Sequence, residues 1–343
     1  METMQAAVVY GDGTLEVRAV PLPEIGPYQA LVRLSWGATC AGTDQRVIEG
    51  GHPNPIAYPA ILGHESVGRA MRLGEKVCSF REGDLLARVG TPPLPQVGLG
   101  VCWGGFAQYG VATDWRAMEA DGLPREQWDK ARVQQVIPND VDERSAPMFI
   151  TWRETLSYTD RVGVKRGDQV LVAGSGANAL AFIAHCAYAG ARVVSLGSAK
   201  RSRDALDLGA AAALDYASTQ LDRDLAGAFP DGLDLILDAV GHPENTNAAL
   251  PLLRGGGTVA VYGWGNRTGY GVNPFLAKDS FRVYCGGYDE AETHEEVLRR
   301  VREGALDAQR WYSQSEPIPL RDLVSAYRRL QRREAYKFLI DLT

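Results

Sequence analysis

Cysteine is scarce in this chain, and paired cysteine is absent. Five stand in 343 residues, at positions 40, 78, 102, 186 and 285, with no Cys-x-x-Cys among them. An odd, scattered set gives no support to a disulfide framework or a four-cysteine zinc site. Blocks of like charge are missing as well. The 36 Lys and Arg are interspersed with 42 Asp and Glu to a net charge of -6, so neither a nucleic-acid groove nor an anionic membrane surface is an expected partner. No apolar run reaches the roughly 18 residues of a membrane helix. "METMQAAVVYGDG" has no basic flank followed by an apolar stretch, so a soluble, cytoplasmic protein is expected. The sequence also has no internal repeat and no low-complexity tract.

What is present divides into two textures. With 45% hydrophobic residues, a chain of this length has material for two cores. Up to about residue 150, short alternating runs such as "EVRAV" and "ALVRLSW" are cut by Gly, Pro and Asp and predict an antiparallel β unit. From about 152 to 285 strands alternate with helix-length segments: "DQVLVAGSG", "ANALAFIAHCAYAGA", "RVVSLG", "LDLILDAVG", "GGTVAVYGW". That order predicts a parallel sheet covered on both faces. The end returns to helices and a closing strand, "YKFLIDL". A charged stretch at 119–135 reads as a surface loop or short helix, with a lid as the alternative.

"VLVAGSGANALAF" carries the clearest mechanism. Gly174, Gly176 and Ala179 stand at G-x-G-x-x-A spacing between an apolar strand and an apolar helix. The first glycine permits the turn, the second lets a pyrophosphate approach the backbone, and the small third residue lets helix pack on strand. Gly174, Gly176, Ala177, Asn178 and Ala179 are therefore candidate dinucleotide contacts. The next strand ends on Gly197, where NAD sites carry an acidic residue for the ribose 2′-hydroxyl. A glycine leaves room for a 2′-phosphate, Ser198 can donate to it, and Lys200, Arg201 or Arg203 can neutralise it. NADP is expected over NAD.

Together with "GHESVGRA", "GDQVLVAGSGANALAFIAHCAYAGA", "LDLILDAVG" and "YKFLIDL", these segments resemble, in order and over nearly the whole chain, the medium-chain dehydrogenase/reductase superfamily of zinc alcohol and polyol dehydrogenases. The resemblance implies an α/β protein with two domains. A GroES-like β-barrel catalytic domain would span 1–151 and 291–343, and an inserted Rossmann domain, a doubly wound parallel sheet, would span 152–290, with the cofactor in the cleft between them. It also implies a homodimer.

The family's zinc sits on the Cys of a C-G-T-D segment, the His of G-H-E, and a Cys or Glu on the helix entering the Rossmann domain. His64 and Glu65 match the second. Counted from "ALVRLSW" the first ligand is Cys40; counted back from Gly42-Thr43-Asp44 it falls on Ala41, so the loop has one residue too many. The third lands on Ile150, which binds no metal, and Glu154 lies one helical turn further. The expectation is a degenerate catalytic site that has lost its zinc, with Cys40, His64 and Glu65 as the candidates for any metal that is held, and no structural zinc. Thr43 matches the hydroxyl beside the substrate oxygen, Asp44 follows it, and Arg46 replaces the relay histidine. With Thr43, Asp44 and His64, Glu154 is the fourth catalytic candidate, as a base. Trp36, Trp103, Trp152 and Trp264 fall in segments that the family places around the cleft, and aromatic faces suit sugar rings. The expected activity is an NADP(H)-linked interconversion of an alcohol, of a sugar or polyol among others, and a carbonyl. The alternatives are a zinc-free reductase of a conjugated double bond and a non-catalytic NADP(H)-binding protein.

Overall fold

The computed structural model describes residues 2–265, 268–312 and 316–343. They divide into two units, Met1–Ile150 with Asp307–Thr343, and Thr151–Leu306.

The first unit is the GroES-like β unit. A four-stranded sheet runs Leu15–Pro21, Thr3–Val9, Ala60–Ile61, Gly100–Val101, and a seven-stranded sheet is built on Gln29–Ala38. That strand pairs antiparallel with Ser66–Leu73, with Tyr109–Thr113 and with the C-terminal Leu339–Asp341. Its apolar alternation buries Val32 and Leu34 in a core with Val8, Ile61, Phe106, Leu323 and Ile340. Two pairings position the site. Leu339 opposite Ala38 brings the C-terminal segment against the end of Gln29–Ala38, and Ser66 opposite Gly37 brings His64 and Glu65 to the same end. The charged stretch after 113 forms short helices, Trp115–Ala120 and Arg125–Trp128. Asp114 caps the first by accepting from Ala117 N, and Trp115 stacks on Trp128 with centroids 5.8 Å apart.

The second unit is the Rossmann sheet. Six parallel strands lie in the order Ala212–Asp215, Arg192–Gly197, Gln169–Ala173, Leu233–Asp238, Leu253–Val261, Arg282–Tyr284. Numbered along the chain this is the order 3-2-1-4-5-6 of a dinucleotide-binding fold. The unit ends at Leu306 instead of 290. The reason is a set of buried charges: Glu290 is ion-paired with Arg153, His294 Nδ1 lies 3.3 Å from Arg153, and Arg300 donates to His185 Nδ1 at 3.1 Å. The helix His294–Arg302 also buries Val297 and Leu298. No helix among the described residues is long and apolar enough to cross a membrane.

Candidate functional site

At the end of Gln29–Ala38 the first unit gathers Cys40, His64 and Glu65, with their ligand atoms all within 4.8 Å of one another. The extra loop residue does not displace the cysteine. Ala41 and Gly42 are exposed, the helix Thr43–Ile48 starts after them, and Cys40 N donates to Asp44 Oδ2 at 2.9 Å. The surplus residue is taken up in this exposed turn, and the cysteine stays beside His64 and Glu65.

Around the trio lies a shell of fixed partners. Asp44, 1% exposed, takes His64 Nδ1 at 2.9 Å and the Tyr327 hydroxyl at 2.5 Å. Lys337, also 1% exposed, donates to both Glu65 oxygens at 2.6 and 2.5 Å and to Thr39 O at 3.3 Å. Burial disfavours the charges of Cys40, His64, Glu65 and Lys337, and the neighbours outweigh it. Desolvation pushes His64 down, but Asp44, Cys40 and Glu65 carry it well above the ordinary histidine range. Burial raises the Cys40 thiol and the Glu65 carboxyl, yet His64 and Lys337 bring both below their usual values. The cluster is an alternating chain of anion and cation, in which each group depends on the next.

This geometry fits a metal. His64 presents Nδ1 to Asp44 and Nε2 to Glu65 Oε1, 3.5 Å away. The raised proton affinity of His64 places a proton on Nε2, and a metal ion held by Nε2, Glu65 and Cys40 would take the place of that proton. Bonds of about 2.0–2.3 Å in a tetrahedron place neighbouring ligand atoms roughly 3.3–3.8 Å apart; the His64–Glu65 distance of 3.5 Å falls in that range, and the Cys40 sulfur lies within 4.8 Å of both. Asp44 supplies the outer hydrogen bond that fixes a ligating imidazole. Three ligands also leave a fourth position for substrate, as in catalytic zinc sites. Ile150 is buried and has no part in this set.

The second unit holds the nucleotide candidates. Gly174 has φ +135°, and a Cβ there would lie 2.8 Å from Val240 and 3.1 Å from Ala179, so the turn requires glycine. Gly176 precedes the helix Ala177–Tyr188 in extended conformation, and a Cβ on it would meet nothing within 4 Å. This open space at a helix N-terminus is a place for phosphate. Gly197 has a second reason to be glycine, since a Cβ there would sit 2.8 Å from Ser175 Cβ and 3.1 Å from Gly174 O. Arg201 donates to Ser175 O at 3.1 Å and so belongs to the turn. Arg203 instead pairs with Asp207 one helical turn on and is 84% exposed. Glu154 lies in this unit, where it accepts the Tyr262 hydroxyl at 3.4 Å.

Sequence reasoning passed over Lys337 and Tyr327. The first left a trace, a lone cation in the apolar run "YKFLI"; Tyr327 left none. Of the four tryptophans, Trp152 is buried, Arg144 lies over Trp36, Trp264 is exposed, and Trp103 sits beside His64 with ring centroids 5.3 Å apart.

Comparison with known proteins agrees with both units. Residues 26–122 match the alcohol dehydrogenase GroES-like domain, and residues 179–302 match the zinc-binding dehydrogenase family. Sorbitol dehydrogenase of Bombyx mori is 24% identical over 327 residues, 91% of this chain and 92% of its own. L-galactonate-5-dehydrogenase of Escherichia coli K12 is 26% identical over 336 residues, 94% of each chain. Among solved structures, a zinc-binding dehydrogenase of Sinorhizobium meliloti 1021 bound to NADP superposes with a TM-score of 0.80 at 24% identity, covering 99% of this chain and all of that one. An alcohol dehydrogenase of Escherichia coli CFT073 complexed with NADH also gives 0.80, at 20% identity, covering 99% and 100%.

Proposed function

We propose a specific reaction for this chain, which belongs to the zinc-type medium-chain dehydrogenase/reductase superfamily and is an NAD(P)-dependent oxidoreductase: NADP(H)-linked interconversion of a sugar or polyol hydroxyl and its carbonyl, with a zinc ion on Cys40, His64 and Glu65. The observation that carries it is the convergence of three ligating side chains, with His64 Nε2 3.5 Å from Glu65 Oε1 and the Cys40 thiol within 4.8 Å of both. Once bound, the ion would act as a Lewis acid toward the substrate oxygen, and the nicotinamide would carry the hydride. The chain's own residues do the rest. Asp44 holds the Nδ1 proton of His64, leaving Nε2 free to ligate. Lys337 keeps Glu65 ionised in a buried site. Thr43, half-buried at the start of the helix Thr43–Ile48, offers the hydroxyl that bonds the substrate oxygen and passes on its proton.

For the cofactor, Ser198, Lys200 and Arg201 provide donors for a 2′-phosphate, and Arg201 is already seated on the Gly-rich turn. Both named relatives act on polyhydroxylated substrates by their printed names, which supports a polyol or sugar acid here. A homodimer belongs to the same reading: Arg282–Tyr284 ends the sheet, with Val283 56% exposed.

The test is turnover of a polyol panel with NADP and NAD by zinc-loaded protein. Polyol oxidation favouring NADP, lost in Cys40→Ser and His64→Ala, is expected. Reduction of an enone with no alcohol oxidation would favour the zinc-free reductase, in which Glu154→Gln and not His64→Ala abolishes turnover. Tight NADPH binding without oxidation by any carbonyl would favour a cofactor-sensing protein.

A further inference from the structure

Among the described residues three non-glycines have left-handed backbone, and two of them, Arg88 (φ 59°) and Trp103 (φ 62°), stand together beside His64. The segment around Trp103 is tightly packed and paired. Thr91 N donates to Gly104 O at 2.9 Å and Gly105 N to Gly63 O at 2.7 Å, and a Cβ on Gly90 would come within 1.8 Å of Trp103 O. The backbone at 103 thus suits glycine, and a bulky aromatic there is an outlier. Such outliers concentrate at functional sites.

The side chain does not recover this strain by burial. Trp103 is 44% exposed, while His64 next to it is 7% exposed. Its indole is held on several sides: the His64 ring is tilted against it at 5.3 Å, the His52 ring meets it edge-on at 5.8 Å, and the Arg88 guanidinium lies 5.7 Å from its centroid. Arg88 in turn donates to His64 O at 2.9 Å, which ties the indole to the ligand segment. A large aromatic that the turn does not ask for, fixed in place and left half-exposed at the ligand cluster, has a ligand as its remaining use. The C–H face of a polyhydroxylated chain or ring is apolar and stacks on an indole, while its hydroxyls reach polar edges such as His52.

We propose that Trp103 is the stacking platform for the substrate's carbon chain, selecting polyhydroxylated substrates over short aliphatic alcohols, with Arg88 as the positioning residue for the ring. This rests on the alcohol-oxidising reading above. Trp103→Gly is the sharp variant, because glycine accepts the left-handed backbone and the fold should survive. We expect its KM for a six-carbon sugar alcohol to rise about tenfold relative to its KM for 2-propanol, the scale of one aromatic contact, with the melting temperature no lower than wild type. Trp103→Phe should retain most of the selectivity. Saturation-transfer NMR of the sugar alcohol on the holoenzyme gives a second readout, with the signal lost in Trp103→Gly.

Equal polyol KM in Trp103→Gly and wild type overturns the proposal and leaves the alcohol chemistry intact. If wild type oxidises no alcohol yet binds the polyol in a Trp103-dependent way, the platform stands and the reaction fails. A loss that falls on benzyl alcohol and spares the polyol overturns the substrate class. A melting temperature several degrees lower in Trp103→Gly, restored by phenylalanine, makes Trp103 structural and overturns it too.

Discussion

Replacing Lys337 by methionine isolates the charge that holds the site together in the absence of metal. Lys337 and Glu65 are 1% and 3% exposed, and the ammonium contacts both carboxylate oxygens. Methionine keeps much of the volume and removes the charge, leaving a buried carboxylate without the ammonium that contacts both its oxygens. Breaking a buried pair from one side costs about 3–5 kcal/mol, because the remaining charge is uncompensated. At roughly 2–4 °C per kcal/mol for a unit of this size, the first unit should melt about 6–20 °C lower in chelator. Zinc supplies the missing positive charge to Glu65, so excess zinc should raise the variant's melting temperature by more than it raises wild type's. Scanning calorimetry with chelator and with zinc gives all four values. A variant that melts within about 2 °C of wild type in chelator would refute the claim that Lys337 neutralises Glu65, and equal zinc shifts in the two proteins would refute the coupling.

Other expectations follow from the second unit. Arg201→Ala should raise KM for NADP about tenfold or more, the worth of a charge-assisted hydrogen bond, and leave KM for NAD nearly unchanged in steady-state assays. Gly197→Ala should weaken both cofactors alike and cost about 1–3 kcal/mol by overpacking, because its Cβ would press on Ser175; denaturant titration measures the second effect. Burial, with Arg300 adding to it, holds His185 down to about 3. The unfolded chain, near 6.5, therefore binds more protons between these values, and stability should fall as pH drops through that window, by up to about 1.4 kcal/mol per pH unit. His185→Gln should flatten the profile, and an unchanged slope would assign the effect to other groups.

The sequence made the fold legible because each level agreed with the next. Period-two runs gave way to strand–helix alternation, and glycines at 174 and 176 stood where a turn and an open helix end require them. The site was half legible. Cys40, His64 and Glu65 were nameable, but their convergence depends on pairing across long separations, Ala38 with Leu339 and Gly37 with Ser66, which no local pattern encodes. Lys337 was obscure for the same reason, being distant in sequence from the carboxylate it neutralises. The second unit runs past 290 to Leu306 because the helix His294–Arg302, polar on one face, has partners visible only in the fold, among them His185. Arg203 looked like Arg201 in the sequence, and only the helix turn shows that one faces Asp207 and the other the Gly-rich loop.

The central claim is that a loop with one residue too many still presents a metal site, and metal content tests it most directly. Elemental analysis of protein purified without chelator or histidine tag should find about one zinc per chain, and His64→Ala protein prepared alongside should have lost it. Wild-type protein with no zinc, or zinc retained equally in the His64→Ala control, would contradict the account.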